Sequence, residues 1–226
     1  MLLAIDTATQ MMSLALFDGR ALLAEHTWHT GQNHGVQLAQ MVQSILGRAG
    51  VTTSALTALG VCTGPGSYSG LRVGVSLAKG LASVHKLPLV GVTALDVLAA
   101  GQPHFTDGLI VTVQAGRGRV VVGRYQWRKG RWVNRGEPKL MDWEMLIKSI
   151  DGPAHLSGEV NADGFKALAA AQEAGTPVTL VGAAHRLRRA GFLAQEAWER
   201  YSANPKGFEA ARLLPFYIKT QDVPES

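Results

Sequence analysis

The chain has 226 residues, of which 46% are hydrophobic and 17% are charged, and its formal net charge is +5. This length suits one large domain or two small lobes, and this composition excludes an intrinsically disordered chain. No apolar run approaches the length of a membrane span, and the first residues lack the basic region and cleavage site of a signal peptide. The single cysteine, Cys62, lies in an apolar run, which excludes a disulfide framework and favours a reducing, cytoplasmic compartment.

The first half of the chain predicts three strands followed by alternating helices and strands. Short apolar runs bounded by turn residues indicate the strands, and apolar stripes at helical spacing indicate the helices. The predicted elements are strands at Leu2–Asp6, Ser13–Phe17 and Ala21–Trp28, a helix at Gly35–Ala49, a strand ending at Cys62, a helix at Leu71–Val84, a strand at Leu87–Val92 and a helix at Ala94–Ala100.

A linker that begins at Gly101 separates a second, divergent lobe from the first. Its predicted elements are strands at Leu109–Gln114, Arg119–Tyr125, Trp132–Asn134, His155–Glu159 and Val178–Val181, and helices at Asp142–Ile150, Ala162–Glu173 and Ala183–Tyr201. The sequence therefore predicts an α/β fold with two mixed lobes, an N-terminal lobe at 1–102 and a C-terminal lobe at 103–226.

The turn Gly64-Pro65-Gly66 joins the Cys62 strand to the next helix, which either Ser67 or Ser69 is able to cap. Its glycine spacing fits neither the dinucleotide fingerprint nor a P-loop. Backbone N–H groups at such a helix start can bind an anion, although a tight corner without a ligand has the same residues. The candidate anion or nucleotide contacts are Asp6, Thr7, Gly64, Gly66 and Ser67.

The helix after this turn carries two distinctive rows of residues. Small residues recur at Gly70, Gly74, Ala78 and Ala82, and apolar residues recur at Val73, Leu77, Leu81 and Val84. A row of small residues permits close approach of another helix, and packing within the lobe explains such a row equally well. The helix is therefore expected to be covered on more than one side.

Basic residues concentrate between Arg117 and Arg135 and at Arg186, Arg188 and Arg189. Either cluster is able to contact nucleic acid, while each taken alone is typical of a solvated face.

Three histidines precede or begin the first predicted helix. His26 and His29 lie on opposite faces of their strand, and His34 lies beyond a loop. Ligands so placed do not converge on one ion, so no metal site is predicted here.

Several motifs together resemble the TsaB (YeaZ) family, and the likeness is strongest over residues 1–100. The motifs are Ile5-Asp6-Thr7-Ala8-Thr9, the run from Gly64 to Gly74, Ala78-Lys79-Gly80-Leu81-Ala82, Pro88-Leu89-Val90-Gly91-Val92 and the tail Leu214-Pro215-Phe216-Tyr217-Ile218-Lys219. The resemblance implies an actin/Hsp70/sugar-kinase-like (ASKHA) fold. It also implies a role in forming N6-threonylcarbamoyladenosine (t6A) in tRNA, beside the catalytic paralogue TsaD.

The resemblance further implies that this chain is a non-catalytic subunit. In TsaD two histidines bind the catalytic metal, and Ala94 and Leu98 stand at the matching positions here. Neither side chain can bind a metal.

The expected partners are TsaD in a heterodimer, TsaE in an ATP-dependent ternary complex, and tRNA through that complex. No membrane partner is expected. We expect no cofactor for this subunit, with ATP or ADP used by the assembled complex.

The expected partner interface lies on the two helices of the first lobe. Its residues are Val36, Leu38, Met41, Val42, Ile45, Gly70, Val73, Gly74, Leu77, Ala78 and Leu81. Without TsaD the same surface is expected to allow a homodimer, because related subunits present similar patches.

Two residues depart from the patterns of related proteins, and they bear on the alternative functions of the chain. Ala8 stands where kinase-like relatives have a phosphate-loop glycine, and Gln114 replaces an aspartate usual in the family. One alternative function is weak nucleotide binding or ATPase activity in a cleft between the lobes. The others are peptidase activity of the M22 glycoprotease type and direct tRNA binding through the basic clusters. No Gly-x-Ser-x-Gly elbow occurs, and Cys62 has no evident histidine partner, which disfavours the protease.

Overall fold

The structure, a computed structural model, describes residues 1–30 and 34–216. The strands are β1 Leu2–Asp6, β2 Met11–Phe17, β3 Leu22–His29, β4 Ala58–Cys62, β5 Leu89–Val92, β6 Gly108–Gln114, β7 Val120–Arg128, β8 Arg131–Asn134, β9 Lys139–Met141, β10 Ala154–Gly158 and β11 Val178–Leu180. The α-helices are α1 His34–Arg48, α2 Tyr68–His85, α3 Ala94–Ala100, α4 Trp143–Lys148, α5 Ala162–Glu173 and α6 Ala190–Ala203.

The chain forms two compact units, and the first is assembled from two separate stretches of sequence. The first unit contains Met1–Gly101 and Arg188–Pro215, and the second contains Gln102–Leu187 together with Phe216. The first boundary coincides with the predicted linker. The prediction that 103–226 forms one lobe needs correction, because α6 packs against β1, β2 and β4 of the first unit.

The first unit is a five-stranded mixed sheet with helices on both faces. Its strand order is β3-β2-β1-β4-β5, in which β1 pairs antiparallel with β2 and parallel with β4. Alternate residues of β1 point to opposite faces. Leu3 and Ile5 join the apolar core that α1 and α2 cover. On the other face Gly60 lies under α6, where a Cβ atom would stand 2.9 Å from the Cβ of Ala197.

The second unit is built on a six-stranded mixed sheet. Its order is β11-β10-β6-β7-β8, and β9 also pairs with β7. The helices α4 and α5 cover one face, where Ile110, Val122 and Leu156 pack with Trp143 and Leu168. The predicted turn at Lys129-Gly130 joins β7 to β8, and both residues have positive φ angles, 49° and 80°.

One predicted helix differs from the structure, and one strand of the structure was not predicted. The helix predicted at Ala183–Tyr201 is broken into a 3₁₀ turn at Ala183–Arg186 and the helix α6. Arg189 is extended between them, with φ −123° and ψ 132°, because side chains of this segment bond to distant partners in the first unit. The strand β9 was missed, since its three residues are too short for a periodic signal.

Within residues 1–30 and 34–216, none of the helices has both the length and the apolar character needed to cross a membrane.

Candidate functional site

The turn between β4 and α2 packs directly on the loop that follows β1. Gly64 has a φ of +104°, a conformation that favours glycine. A Cβ atom on Gly66 would lie 2.1 Å from the carbonyl oxygen of Ala8. The backbone N–H of Ser67 donates to that same oxygen at 2.6 Å. The close approach therefore requires glycine at position 66, and an N–H expected to face an anion is bonded within the protein.

Ser67 also begins the helix α2. Its Oγ accepts a hydrogen bond from the N–H of Gly70 at 3.3 Å, and its own backbone is extended, as is usual for an N-cap residue. Of the two serines that the sequence offered as caps, the structure selects Ser67. The Oγ of Ser69 lies 3.2 Å from that of Ser67.

Asp6 ends β1 as a fully buried carboxylate whose two oxygens both have partners. Its Oδ1 accepts from the backbone N–H of Ala8 at 2.9 Å. Its Oδ2 accepts from Nε of Arg188 at 3.0 Å, and Nη2 of Arg188 donates to Oγ1 of Thr9 at 2.6 Å. The Arg188 side chain is itself only 2% exposed, so the pair neutralises both charges inside the first unit. A bound cation would have to compete with this guanidinium for Asp6.

Thr7 is buried against α2. Its Oγ1 donates to the carbonyl oxygen of Gly70 at 2.7 Å. A Cβ atom added to Gly74 would lie 2.2 Å from the same Oγ1. The small residues of α2 therefore face β1 of their own sheet, and Gly70, Gly74, Ala78 and Ala82 are all buried.

The candidate anion contacts are thus engaged with other residues of the first unit. Asp6 is paired with Arg188, Thr7 bonds to α2, and the turn bonds to Ala8. These bonds join the end of β1 and the loop that follows it to α2 within the first unit. The partner of Asp6 was not identified from the sequence, because Arg188 lies 182 positions away and no local pattern connects the two.

The predicted partner-interface residues fall into two groups. Leu38, Val42, Ile45, Gly70, Gly74 and Ala78 are buried in the first unit. Val36 is 71% exposed, and Met41, Val73, Leu77 and Leu81 are half-buried on the outer side of α1 and α2. The second group, together with Val84, which is 76% exposed, forms what we call the α1–α2 surface.

An apolar groove runs between these two helices. Its volume is about 420 Å³, and it is lined by residues of α1, of α2 and of the segment that follows α1. Val42, Leu46, Leu77 and Leu81 supply its apolar walls. Contiguous apolar surface on folded proteins is found at ligand grooves and at sites of interaction with proteins or membranes.

The cluster at Arg186, Arg188 and Arg189 is not a single solvated face. Arg188 is buried as described, and Arg189 donates from Nε to Oε2 of Glu25 at 2.9 Å. The second nitrogen of Arg189 bonds to the same carboxylate oxygen. These two arginines therefore hold the start of α6 to β1 and β3, which removes most of this cluster from consideration as a nucleic-acid contact.

Within the part of the chain that the structure describes, Cys62, His26 and His29 each lie in separate surroundings. Burial of the Cys62 thiol, and then the charge of nearby Asp6, raise the pKa of Cys62 well above its usual value. His26 packs on Trp28, with ring centroids 4.8 Å apart, and Nε2 of His29 lies 3.2 Å from Oε1 of Gln10. The side chain of His34 and the tail residues 217–219 lie outside the described residues.

The comparisons with known proteins identify the family. The family model described as "TsaD: tRNA N6-adenosine threonylcarbamoyltransferase" matches residues 26–190. The chain is 37% identical over 161 residues to the tRNA threonylcarbamoyladenosine biosynthesis protein TsaB of Bacillus subtilis, and the match covers 70% of each chain. The chain belongs to the TsaB (YeaZ) family. The family predicted from the sequence motifs is therefore confirmed.

Solved structures agree with this assignment and with the predicted fold. YeaZ from Pseudomonas aeruginosa is similar, with a TM-score of 0.76 and 26% identity, over 96% of this chain and 99% of that chain. A ROK hexokinase from Thermus thermophilus shares the fold alone, with a TM-score of 0.50 and 14% identity, over 90% of this chain and 99% of that chain. The predicted α/β, actin/Hsp70/sugar-kinase-like fold is confirmed, and the structure has two mixed sheets.

Proposed function

We propose that this TsaB-family chain is a non-catalytic subunit that binds TsaD and supports t6A formation in tRNA. The observation that carries the proposal is the α1–α2 surface, an apolar face that the first unit leaves exposed beside its own core. The name of the Bacillus subtilis relative supports a role in t6A biosynthesis. The matching helices of TsaD, a paralogue with the same fold, are the occupant we propose for this face.

The residues at the positions of the TsaD metal ligands support the non-catalytic part of the proposal. Ala94 and Leu98 are 0% and 1% exposed in α3, so both side chains belong to the core of the first unit. Neither carries a lone pair that could bind a metal ion. The chemistry of the assembled complex would then come from TsaD, and ATP or ADP would be used by that complex together with TsaE.

The region around Asp6 supports assigning the nucleotide to other subunits. Arg188 donates a hydrogen bond to the carboxylate of Asp6, and the carbonyl oxygen of Ala8 accepts a hydrogen bond from the N–H of Ser67. A phosphate group at the N–H of Ser67 would have to displace the carbonyl oxygen of Ala8, and a cation at Asp6 would have to displace Arg188. The alternative function of weak nucleotide binding or ATPase activity therefore has less support than binding of TsaD.

The direct test is light-scattering size exclusion of the full chain with TsaD from the same source, with and without ATP and TsaE. We expect a heterodimer for the wild-type chain. Leu81→Glu should weaken it by roughly thirtyfold or more, because a carboxylate desolvated in an apolar interface costs about 2 kcal/mol or more. Leu81 is half-buried, so circular dichroism must show that the variant is folded.

Met145→Glu is the matched control. Met145 is an exposed apolar residue, at 55%, on a helix of the second unit, so the same substitution there should leave TsaD binding unchanged. The proposal is refuted if the wild-type chain and TsaD elute separately under all conditions. It is equally refuted if folded Leu81→Glu binds TsaD as tightly as the control does.

A further inference from the structure

One face of the second unit's sheet carries cationic side chains beyond the end of α4. Side chains alternate along a strand, so Arg124 and Arg128 of β7 share the face of Val122. On that face Val122 packs against Trp143 of α4. Nη2 of Arg124 donates to the carbonyl oxygen and to Oγ of Ser149, the last-turn cap of α4, at 2.9 and 2.7 Å. The cationic row therefore begins where the cover of α4 ends.

The neighbouring strands extend this row on the same face. Arg131 of β8 lies opposite Arg128, and Lys139 of β9 lies opposite Val122. Residues directly opposite in paired strands project on the same side of a sheet. From the level of Val122 to that of Arg128 the row extends for about 20 Å, at roughly 3.4 Å per residue.

Two cavities open along the row. The larger, of about 540 Å³, is lined by Arg124, Arg135 and Lys139, and the smaller, of about 230 Å³, shares Arg124 and Arg135. The backbone N–H of Arg135 donates to the carbonyl of Arg124 at 2.8 Å, which holds the two residues side by side. The carboxylates of Glu137 and Asp151 also line the larger cavity. We call Arg124, Arg128, Arg131, Arg135 and Lys139 the basic strip.

We infer that the basic strip binds the phosphodiester backbone of RNA. Its five cations outnumber the two carboxylates beside them, and four of the five are arginines, whose planar forks match phosphate oxygens. A linear row of charges follows a chain of phosphates, whereas a protein interface is centred on apolar contacts. The choice of RNA rests on the proposed function in tRNA modification. The strip belongs to residues 102–187 and the α1–α2 surface to the first unit, so the two can be tested separately.

The test is fluorescence anisotropy of the full chain, without other subunits, titrated into a fluorescein-labelled, unmodified tRNA transcript. The logarithm of the affinity should fall linearly with the logarithm of the KCl concentration, with a slope of about −2 to −4. The double variant Arg135→Ala, Lys139→Ala should bind about tenfold more weakly at about 100 mM KCl, and its slope should be smaller by about 1 to 2. Both side chains are exposed, so this variant should fold, which circular dichroism checks.

Lys166→Ala, Lys206→Ala is the matched control, because both residues are exposed cations that lie outside the strip and outside the cluster from Arg117 to Arg135. Equal weakening by the control and the strip variant refutes the inference. Absence of salt-dependent tRNA binding, in a preparation that still forms a complex with TsaD, refutes it too and leaves the proposed function standing. A labelled poly-glutamate peptide provides the second ligand. If it binds as tightly as tRNA, and if the strip variant weakens its binding equally, the strip binds an acidic polypeptide and the choice of RNA is overturned.

Discussion

Gly74→Ala is the change that most directly tests the packing of α2 on β1. The new methyl group would lie 2.2 Å from Oγ1 of Thr7, which is held in place by its hydrogen bond to Gly70. Overpacking of this kind costs about 1–3 kcal/mol, and loss of the Thr7 bond costs about 0.5–1.5 kcal/mol. Alanine favours the helix over glycine by about 0.5–1 kcal/mol, which offsets part of this loss. The expected net loss in the free energy of unfolding is therefore about 0.5–4 kcal/mol.

Gly80→Ala on the same helix provides the control. A Cβ atom there meets nothing within 4 Å, so this variant should be more stable by about 0.5–1 kcal/mol. Urea unfolding followed by circular dichroism measures both. In the double variant Thr7→Ala, Gly74→Ala the clash with Oγ1 disappears, and the two changes should be less destabilising together than the sum of each alone. Stabilisation by Gly74→Ala equal to that of Gly80→Ala would refute the assignment of the small-residue row to internal packing.

Two further predictions concern the buried groups near Asp6. Arg188→Met should lower the free energy of unfolding by about 3–5 kcal/mol, because it leaves the Asp6 carboxylate buried without a counter-charge, whereas Arg189→Met breaks a partly exposed pair and should cost about 1 kcal/mol or less. Equal losses in urea unfolding would contradict this. Cys62 should react with a thiol reagent at about pH 8 only after unfolding in urea, because burial raises its pKa and so keeps the thiolate scarce when folded. Reaction of the folded chain at the rate of a free cysteine would contradict the burial.

The local part of the fold was predictable from the sequence. The strands of the first unit, the turn at Gly64 and a serine cap at position 67 or 69 depend on residues within a few positions of one another, and the structure has the cap at Ser67. The hairpin turn at Lys129-Gly130 follows from the same short-range chemistry. For these elements the turn and capping residues and the hydrophobic period all indicate one structure.

The long-range part was not predictable in the same way. Periodicity indicated that the Gly70–Ala82 row of α2 is covered, but it does not say whether the cover is the chain's own sheet or a partner. The helix predicted through Arg188 fails because that side chain is needed at Asp6, and the ion pair outweighs the local helix propensity. For the candidate site, the role of Asp6 and the Gly64–Ser67 turn as anion contacts stays a prediction, and the bond from Arg188 to Asp6 was not predictable from the sequence.

The discontinuity of the first unit has a consequence for synthesis on the ribosome. Residues 1–101 emerge first, yet the face of their sheet that contains Gly60 stays uncovered until α6 follows the whole of the second unit. The second unit is continuous between Gln102 and Leu187, so every strand of its sheet has emerged before the first unit can be completed. The sheet of the first unit is thus the last to reach its final packing. A nonsense mutation just before Ala190 would remove α6, and it would damage the sheet of the first unit more than that of the second.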